Sequence, residues 1–305
     1  MAARVLVTGA SGFIGMHCLK PLLAAGYEVI ATRNSTRARA VEGVTWVEAD
    51  LLQASGHAEL MARFRPQLLL HLAWYVEPGK MIESEENLRW TAASLELLRQ
   101  FRAHGGERCV FGGSGYEYDW RYGYCTEELT PTRPDTLYGA AKNALSGAML
   151  GYCRSVGLSG AWARMFFMYG PFENPRRLVP SVILSLLRGE PAKSSHGKQV
   201  RDYMHVQDVA DGLVALLKSP ATGAFNIASG NATSIRTIVE RIGHIIGRPE
   251  LLQIGALPAR ANDVALVLGD PEKTHREIGW RSSIDLETGL KNTIDWWRNE
   301  SQVTK

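Results

Sequence analysis

Short apolar runs alternate with stretches of helical period through the first half of the chain. RVLVTG (4–9), YEVIAT (27–32), VTWVEAD (44–50), QLLLHLA (67–73) and RCVFGG (108–113) have the β-branched and leucine-rich content of strands buried on both faces. Between them, the segments 13–25, HAELMARF (57–64) and ENLRWTAASLELLRQFRAHG (86–105) place apolar residues three and four apart, as helices do. Strand–helix alternation of this kind predicts an α/β fold, a doubly wound parallel sheet with helices on both faces. Pro21 falls inside the first helical stretch, where its missing N–H and its ring predict a kink. Beyond about Arg164 the alternation stops: prolines at 171, 175 and 180 interrupt the chain, and short helical segments such as SVILSLLRG and TSIRTIVERIGHIIG take over. The expected division is a cofactor-type domain over 1–166, with a segment near 198–228 returning to it, and a smaller lobe made mainly from 167–305.

Composition narrows the partners. The net charge of +3 gives no footprint for nucleic acid, so any phosphate binding is local. No apolar run reaches the roughly 18–20 residues of a membrane span, and the N-terminal residues lack a signal-peptide pattern. The four cysteines, at 18, 109, 125 and 153, lack metal-ligand spacing. A cytoplasmic protein with reduced thiols and no metal is expected.

TGASGFIG (8–15) places Gly9, Gly12 and Gly15 at the junction of the first strand and first helix. In a Rossmann domain such glycines allow a tight turn, close approach of a pyrophosphate, and close helix–strand packing. Ser11, Phe13 and Ile14 lie at the start of that helix, whose positive end faces the phosphates. The second strand runs into ATRNSTR, with Arg33 where an NAD site usually has an acid and Arg37 close behind. An arginine fork pairs with a 2′-phosphate, so NADP is favoured over NAD; the plainer reading is two solvated arginines. Asp50 and Leu51 end the third strand and are candidates for the adenine edge, although a strand-end aspartate also forms turns.

TLYGAAK sets Tyr138 and Lys142 four apart, on one face of a helix. A lysine ammonium beside a phenol favours the phenolate, which then exchanges a proton with a hydroxyl or carbonyl. Ser114, in VFGGSGYEYD, is placed to hydrogen-bond the same oxygen.

At this point the chain resembles the extended short-chain dehydrogenase/reductase family of nucleotide-sugar epimerases, dehydratases and reductases. TGASGFIG, EADL, LLLHLA, Asn87 in EENL, Ser114, YGAAK, RMFFMYGP, VRDYMHVQDVADG, FNIASG and KTHREIGW carry the resemblance. It implies a Rossmann domain with a C-terminal substrate-binding lobe and Tyr138 as acid/base. Lys142 would orient the nicotinamide ribose, Ser114 assist at the reacting oxygen, and Leu72 and Ala73 line the cofactor channel. For the nucleotide-diphosphate sugar it implies Arg201, Arg260 and Asp263. His205 and Asp208 read as structural, and Arg176 and Arg177 as solvated. It also implies a homodimer through a four-helix bundle.

The loop after Ser114 selects the reaction. Dehydratases of this family place acids directly after the serine or threonine; here Gly115 and Tyr116 stand there, and Glu117 comes one residue late. On an extended loop that offset turns a side chain to the other face. Tyr116, Glu117 and Trp120 are candidates to wall a hexose pocket, although Trp120 reads equally as packing beneath the loop. Phe167 stands where epimerases often have asparagine and favours a less polar sugar. With Arg33, these features favour NADPH-dependent reduction of a nucleotide-linked 4-keto-6-deoxyhexose. A 4-epimerase is the alternative. A 4,6-dehydratase, a non-sugar carbonyl reductase and a non-catalytic NADP sensor are more distant.

Overall fold

The computed structural model describes residues 2–33, 40–259 and 263–303. The first half folds as β1 (Arg4–Thr8), α1 (Phe13–Ala24), β2 (Glu28–Arg33), β3 (Val44–Glu48), α2 (Ala54–Phe64), β4 (Leu68–His71), α3 (Glu86–Ala103), β5 (Arg108–Ser114), β6 (Tyr124–Cys125) and α4 (Leu137–Ser155). There follow β7 (Ser159–Met165), β8 (Phe167–Tyr169), α5 (Leu178–Leu187), β9 (Ala192–Ser194), β10 (Val200–His205), α6 (Val206–Lys218), β11 (Gly223–Ile227) and β12 (Ala232–Ser234). The chain ends with α7 (Ile235–Ile246), β13 (Leu252–Ile254), β14 (Leu266–Gly269), α8 (Glu272–Ile278) and α9 (Leu286–Val303).

Seven parallel strands form the main sheet in the order β11-β7-β5-β4-β1-β2-β3. Alternate residues supply its two faces. Val5, Val7, Val29, Ala31, Leu70 and Val110 pack with α1 and α6. Leu6, Ile30, Leu69, Cys109 and Phe111 pack with α3 and α4. This is a doubly wound Rossmann arrangement, and its order reverses beside β1, where ligands of such folds bind.

Pro21 leaves α1 unbroken from 13 to 24. The carbonyl that loses its partner to the proline is that of His17, and Gln207 Nε2 on α6 donates to it at 3.5 Å. The buried guanidinium of Arg108 donates to the carbonyls of Leu216, Leu217 and Ala221, tying the end of α6 to β5.

The smaller lobe joins β12-β10-β14-β6, with β8 on β10, to a core of α5, α7 and α9. Among the described residues no helix is long and apolar enough to cross a membrane.

Candidate active site

The glycine loop between β1 and α1 is closed tightly against the end of β4. Gly9 has φ +67°, and a Cβ there would lie 2.7 Å from Ala73 N and 2.8 Å from the Leu72 carbonyl carbon. A Cβ on Gly15 would lie 2.3 Å from Gly9 O. Gly12 N donates to Gly9 O at 3.0 Å across Ser11. Helix α1 then begins at Phe13 and Ile14 with no side-chain cap and no acid in its first turn, so its N–H groups and positive end are left to an anion. The amides of Leu72 and Ala73 donate to Thr8, which holds β4 and the loop in register.

Arg33 ends β2 opposite Glu48, and its Nε is buried without a hydrogen-bond partner. Arg37 lies outside the described residues. Asp50 forms a turn, its carboxylate accepting from Leu52 N at 3.0 Å, and Leu51 is buried beside it. The tight glycines, the uncapped helix start and the orphaned guanidinium nitrogen fit the pyrophosphate and adenosine end of a nicotinamide dinucleotide.

Across the sheet, β5 delivers Ser114 and α4 delivers Tyr138 and Lys142. The Thr136 hydroxyl caps α4 by accepting from Gly139 N at 3.1 Å. A Cβ on Gly139 would lie 2.3 Å from Tyr116 O, so this helix start lies against the serine loop. All three side chains are buried. Burial pushes the Tyr138 phenol up to about 12, opposed by its hydrogen bond with Ser114. Burial also lowers Lys142 to about 7, with Glu117 opposing.

The expected mutual stabilisation of Tyr138 and Lys142 is not what sets either group here. Lys142 Nζ donates to Gly112 O at 2.8 Å and lies 3.6 Å from the centre of the Trp74 ring. Trp74 was not legible as a site residue; it is held by Asn87, which accepts from its Nε1 at 2.9 Å.

One consequence can be measured. Between about pH 7 and the ordinary lysine range, the unfolded chain binds a proton that folded Lys142 does not. The stability of the wild type relative to Lys142→Met therefore rises with pH across this window, with a slope of at most about 1.4 kcal/mol per pH unit. Urea unfolding of both proteins at several pH values checks it, and a flat difference would contradict the assigned burial of Lys142.

Glu117 does not wall a sugar pocket. Residues Gly115–Glu117 turn as a short 3₁₀ segment, which folds the carboxylate back beneath Ser114. Glu117 is fully buried and accepts from Ser114 N at 2.7 Å, from Trp162 Nε1 at 2.9 Å and from Arg164 Nε at 2.8 Å. Burial alone would lower Arg164, but Glu117 and Tyr118 reverse this and raise it. Arg164 also donates to Tyr118 Oη at 3.0 Å, and Tyr118 donates to Asn226 at 2.8 Å. Gly115 is enclosed too: a Cβ there would lie 2.9 Å from the Phe166 ring.

Above the loop, the Tyr116 ring lies 5.6 Å from that of Tyr138 and 4.4 Å from that of Trp120. Trp120 donates to Gly115 O at 2.7 Å and reaches Phe167 at 6.0 Å. Phe167 continues to Tyr203 and lies 5.5 Å from the Arg201 guanidinium. Arg201 is buried and paired with Asp263. Arg260 lies outside the described residues.

Arg176 is an exposed partner of Glu77. Arg177 donates to Met81 Sδ at 3.4 Å, and its charge slightly favours the ionised forms of Tyr138 and Tyr203. Arg177 is nonetheless exposed, as expected for a solvated arginine. His205 caps α6 by accepting from Gln207 N, and Asp208 accepts from Ser283 and Ile284 amides. Among the described residues, no group of three potential ligands could hold a metal ion.

A glycine-lined β1–α1 turn on a doubly wound sheet, facing a buried Ser–Tyr–Lys set, defines a short-chain dehydrogenase/reductase of the extended type. Residues 5–228 match the family described as the NAD dependent epimerase/dehydratase family, and the chain belongs to it. It is 28% identical to a UDP-glucose 4-epimerase of Corynebacterium glutamicum, over 93% of each chain. It is 26% identical to a probable dTDP-glucose 4,6-dehydratase of Sinorhizobium fredii, over 96% of this chain and 92% of that one. Among solved structures, a Thermus thermophilus UDP-glucose 4-epimerase in complex with NAD aligns with a TM-score of 0.86 at 29% identity, covering 97% of this chain and 99% of that one.

Proposed function

We propose that the chain is a nucleotide-diphosphate-hexose 4-epimerase using a nicotinamide dinucleotide, with Tyr138 as acid/base. The observation that carries this is the closed loop around Ser114. Ser114 lies beside Tyr138 and lowers its phenol, while Gly115 lies against Phe166 and Glu117 is committed to Trp162 and Arg164. Within the 114–117 loop that leaves proton exchange at a single oxygen and no free acid for expelling a neighbouring hydroxyl, which favours epimerisation over dehydration.

A bound nicotinamide would supply the acceptor and donor of hydride. Tyr138 takes the proton of the C4 hydroxyl and returns it when the keto group is reduced from the other face. Ser114 orients that oxygen. Lys142 is held at the floor of the site by Gly112 O and Trp74, one helical turn from Tyr138. Arg201 would bind the diphosphate, in exchange for or alongside its pairing with Asp263, and Tyr116, Trp120 and Phe167 would face the sugar. Work in the cytoplasm as a homodimer, with the outer faces of α3 and α4 in a four-helix bundle, completes the reading; Leu88 and the small residues Ala144, Gly147 and Ala148 are exposed there.

The relatives' names support epimerisation over the keto-sugar reduction expected from Arg33. Reduction of a nucleotide-linked 4-keto-6-deoxyhexose by NADPH is the second reading, favoured by the buried, unpartnered Arg33 Nε and the apolar Phe167. One experiment separates them. The purified chain is incubated with UDP-glucose, and separately with dTDP-4-keto-6-deoxyglucose plus NADPH or NADH. Appearance of the C4 epimer without net loss of cofactor is expected. Stoichiometric loss of NADPH on the keto sugar, with no epimer from UDP-glucose, would establish the second reading. Inertness in both would remove both.

A further inference from the structure

Three donors converge on the Glu117 carboxylate, and one of them is the backbone N–H of Ser114. The other two, Trp162 Nε1 and Arg164 Nε, come from β7, the strand beside β5 in the sheet. The carboxylate therefore bridges the catalytic turn to a neighbouring strand whose pairing is already fixed. The site also shows why the turn carries a glycine before the serine. A Cβ on Gly113 would lie 2.1 Å from Trp162 Nε1 and 2.7 Å from Glu117 Oε1, so any larger residue collides with the bridge.

We propose that Glu117 is a positioning residue, anchoring the backbone of Ser114 to Trp162 and Arg164 so that the serine hydroxyl meets Tyr138 at the substrate oxygen. Gly113 belongs to the same device. The inference rests on the reading that Ser114 and Tyr138 act together on one oxygen. It adds that their relative placement is set from below the loop, by a side chain that never touches substrate. Ser114 Oγ is itself fixed from the other side, accepting from Tyr116 N at 3.2 Å. The hydroxyl is thus confined by one bond to its own loop and by the clamp on its amide. A preorganised donor of this kind stabilises charge at the reacting oxygen without rearranging during the reaction.

Two substitutions separate positioning from simple stability. Glu117→Gln keeps the length that reaches Ser114 N and removes the charge facing Arg164. Glu117→Asp keeps the charge and withdraws it by one methylene. If Glu117 positions Ser114, kcat follows reach: the Gln variant retains more turnover than the Asp variant, which loses about tenfold in kcat at nearly unchanged KM. Thermal stability follows charge, and the order reverses, with Asp above Gln.

Hydrogen–deuterium exchange of the peptide 110–118 in cofactor-free protein gives the same comparison without any substrate. Faster exchange in the Asp variant than in the Gln variant is expected. Turnover and exchange that both follow the stability order would overturn the proposal. Should the Gln variant not fold, an Asp variant with wild-type kcat and wild-type exchange would overturn it alone. A wild-type chain inert toward UDP-glucose would count against the epimerase reading, and the exchange comparison would still decide the clamp.

Discussion

Tyr138→Phe lowers turnover by about 10²–10⁴-fold while leaving cofactor binding and folding near wild type. The range is what a positioned proton-transfer group contributes, about 3–5 kcal/mol of barrier. Two features make the substitution clean. The phenol is buried at the start of α4, where its ring packs against Tyr116, and phenylalanine keeps that ring. Ser114, the neighbour that lowers the phenol, retains its own bond from Tyr116 N and its N–H still donates to Glu117. The pH profile carries further information. Burial holds the phenol at about 12 in the free protein, well above the ordinary value near 10, so the free enzyme offers a proton donor rather than a base at neutral pH. Substrate oxidation should therefore require bound oxidised nicotinamide, whose positive charge favours the phenolate. Nicotinamide absorbance in a single turnover, with cofactor binding measured in parallel, checks the prediction. Turnover within about tenfold of wild type would place the acid/base elsewhere.

Much of this site was written in local sequence. The glycine loop and the Tyr–Lys pair are short-range patterns, each produced by one turn of backbone, and the strands that flank them are apolar runs buried on both faces. What was hidden depends on partners far apart in the chain. Strand β7 reads SGAWARM, and its arginine gives no sign of being buried. Arg164 is tolerated there because Glu117 meets it from 47 positions away. Glu117 differs from its expected place for a related reason: an extended loop turns it outward, whereas the 3₁₀ turn at 115–117 sends it under Ser114. The C-terminal helix α9 is rich in charged and polar residues, and Leu290, Ile294 and Trp297, flanked by Leu286 and Trp296, mark the stripe that enters the core of the smaller lobe. At Pro21 the lost backbone hydrogen bond is likewise answered from far along the chain, by Gln207.

Arg164→Met destabilises the protein by about 3–5 kcal/mol, the usual consequence of leaving one member of a buried ion pair alone. Arg164 and Glu117 are both removed from solvent, their side chains 7% and 0% exposed, so water cannot replace the lost guanidinium. Methionine fills much of the space but offers no donor to Glu117 or to Tyr118 Oη. A buried carboxylate without its partner keeps the desolvation cost and loses the attraction that offset it. The melting temperature is expected to fall on the order of 10 °C. Adding Glu117→Gln to Arg164→Met removes the stranded charge while leaving an acceptor for Ser114 N and Trp162 Nε1, and most of the lost stability returns. Denaturant unfolding of the wild type, both single variants and the double variant completes the cycle. A double variant no more stable than Arg164→Met would mean that the arginine acts chiefly through Tyr118 and Asn226, and that the charge under Ser114 is not what its burial sustains.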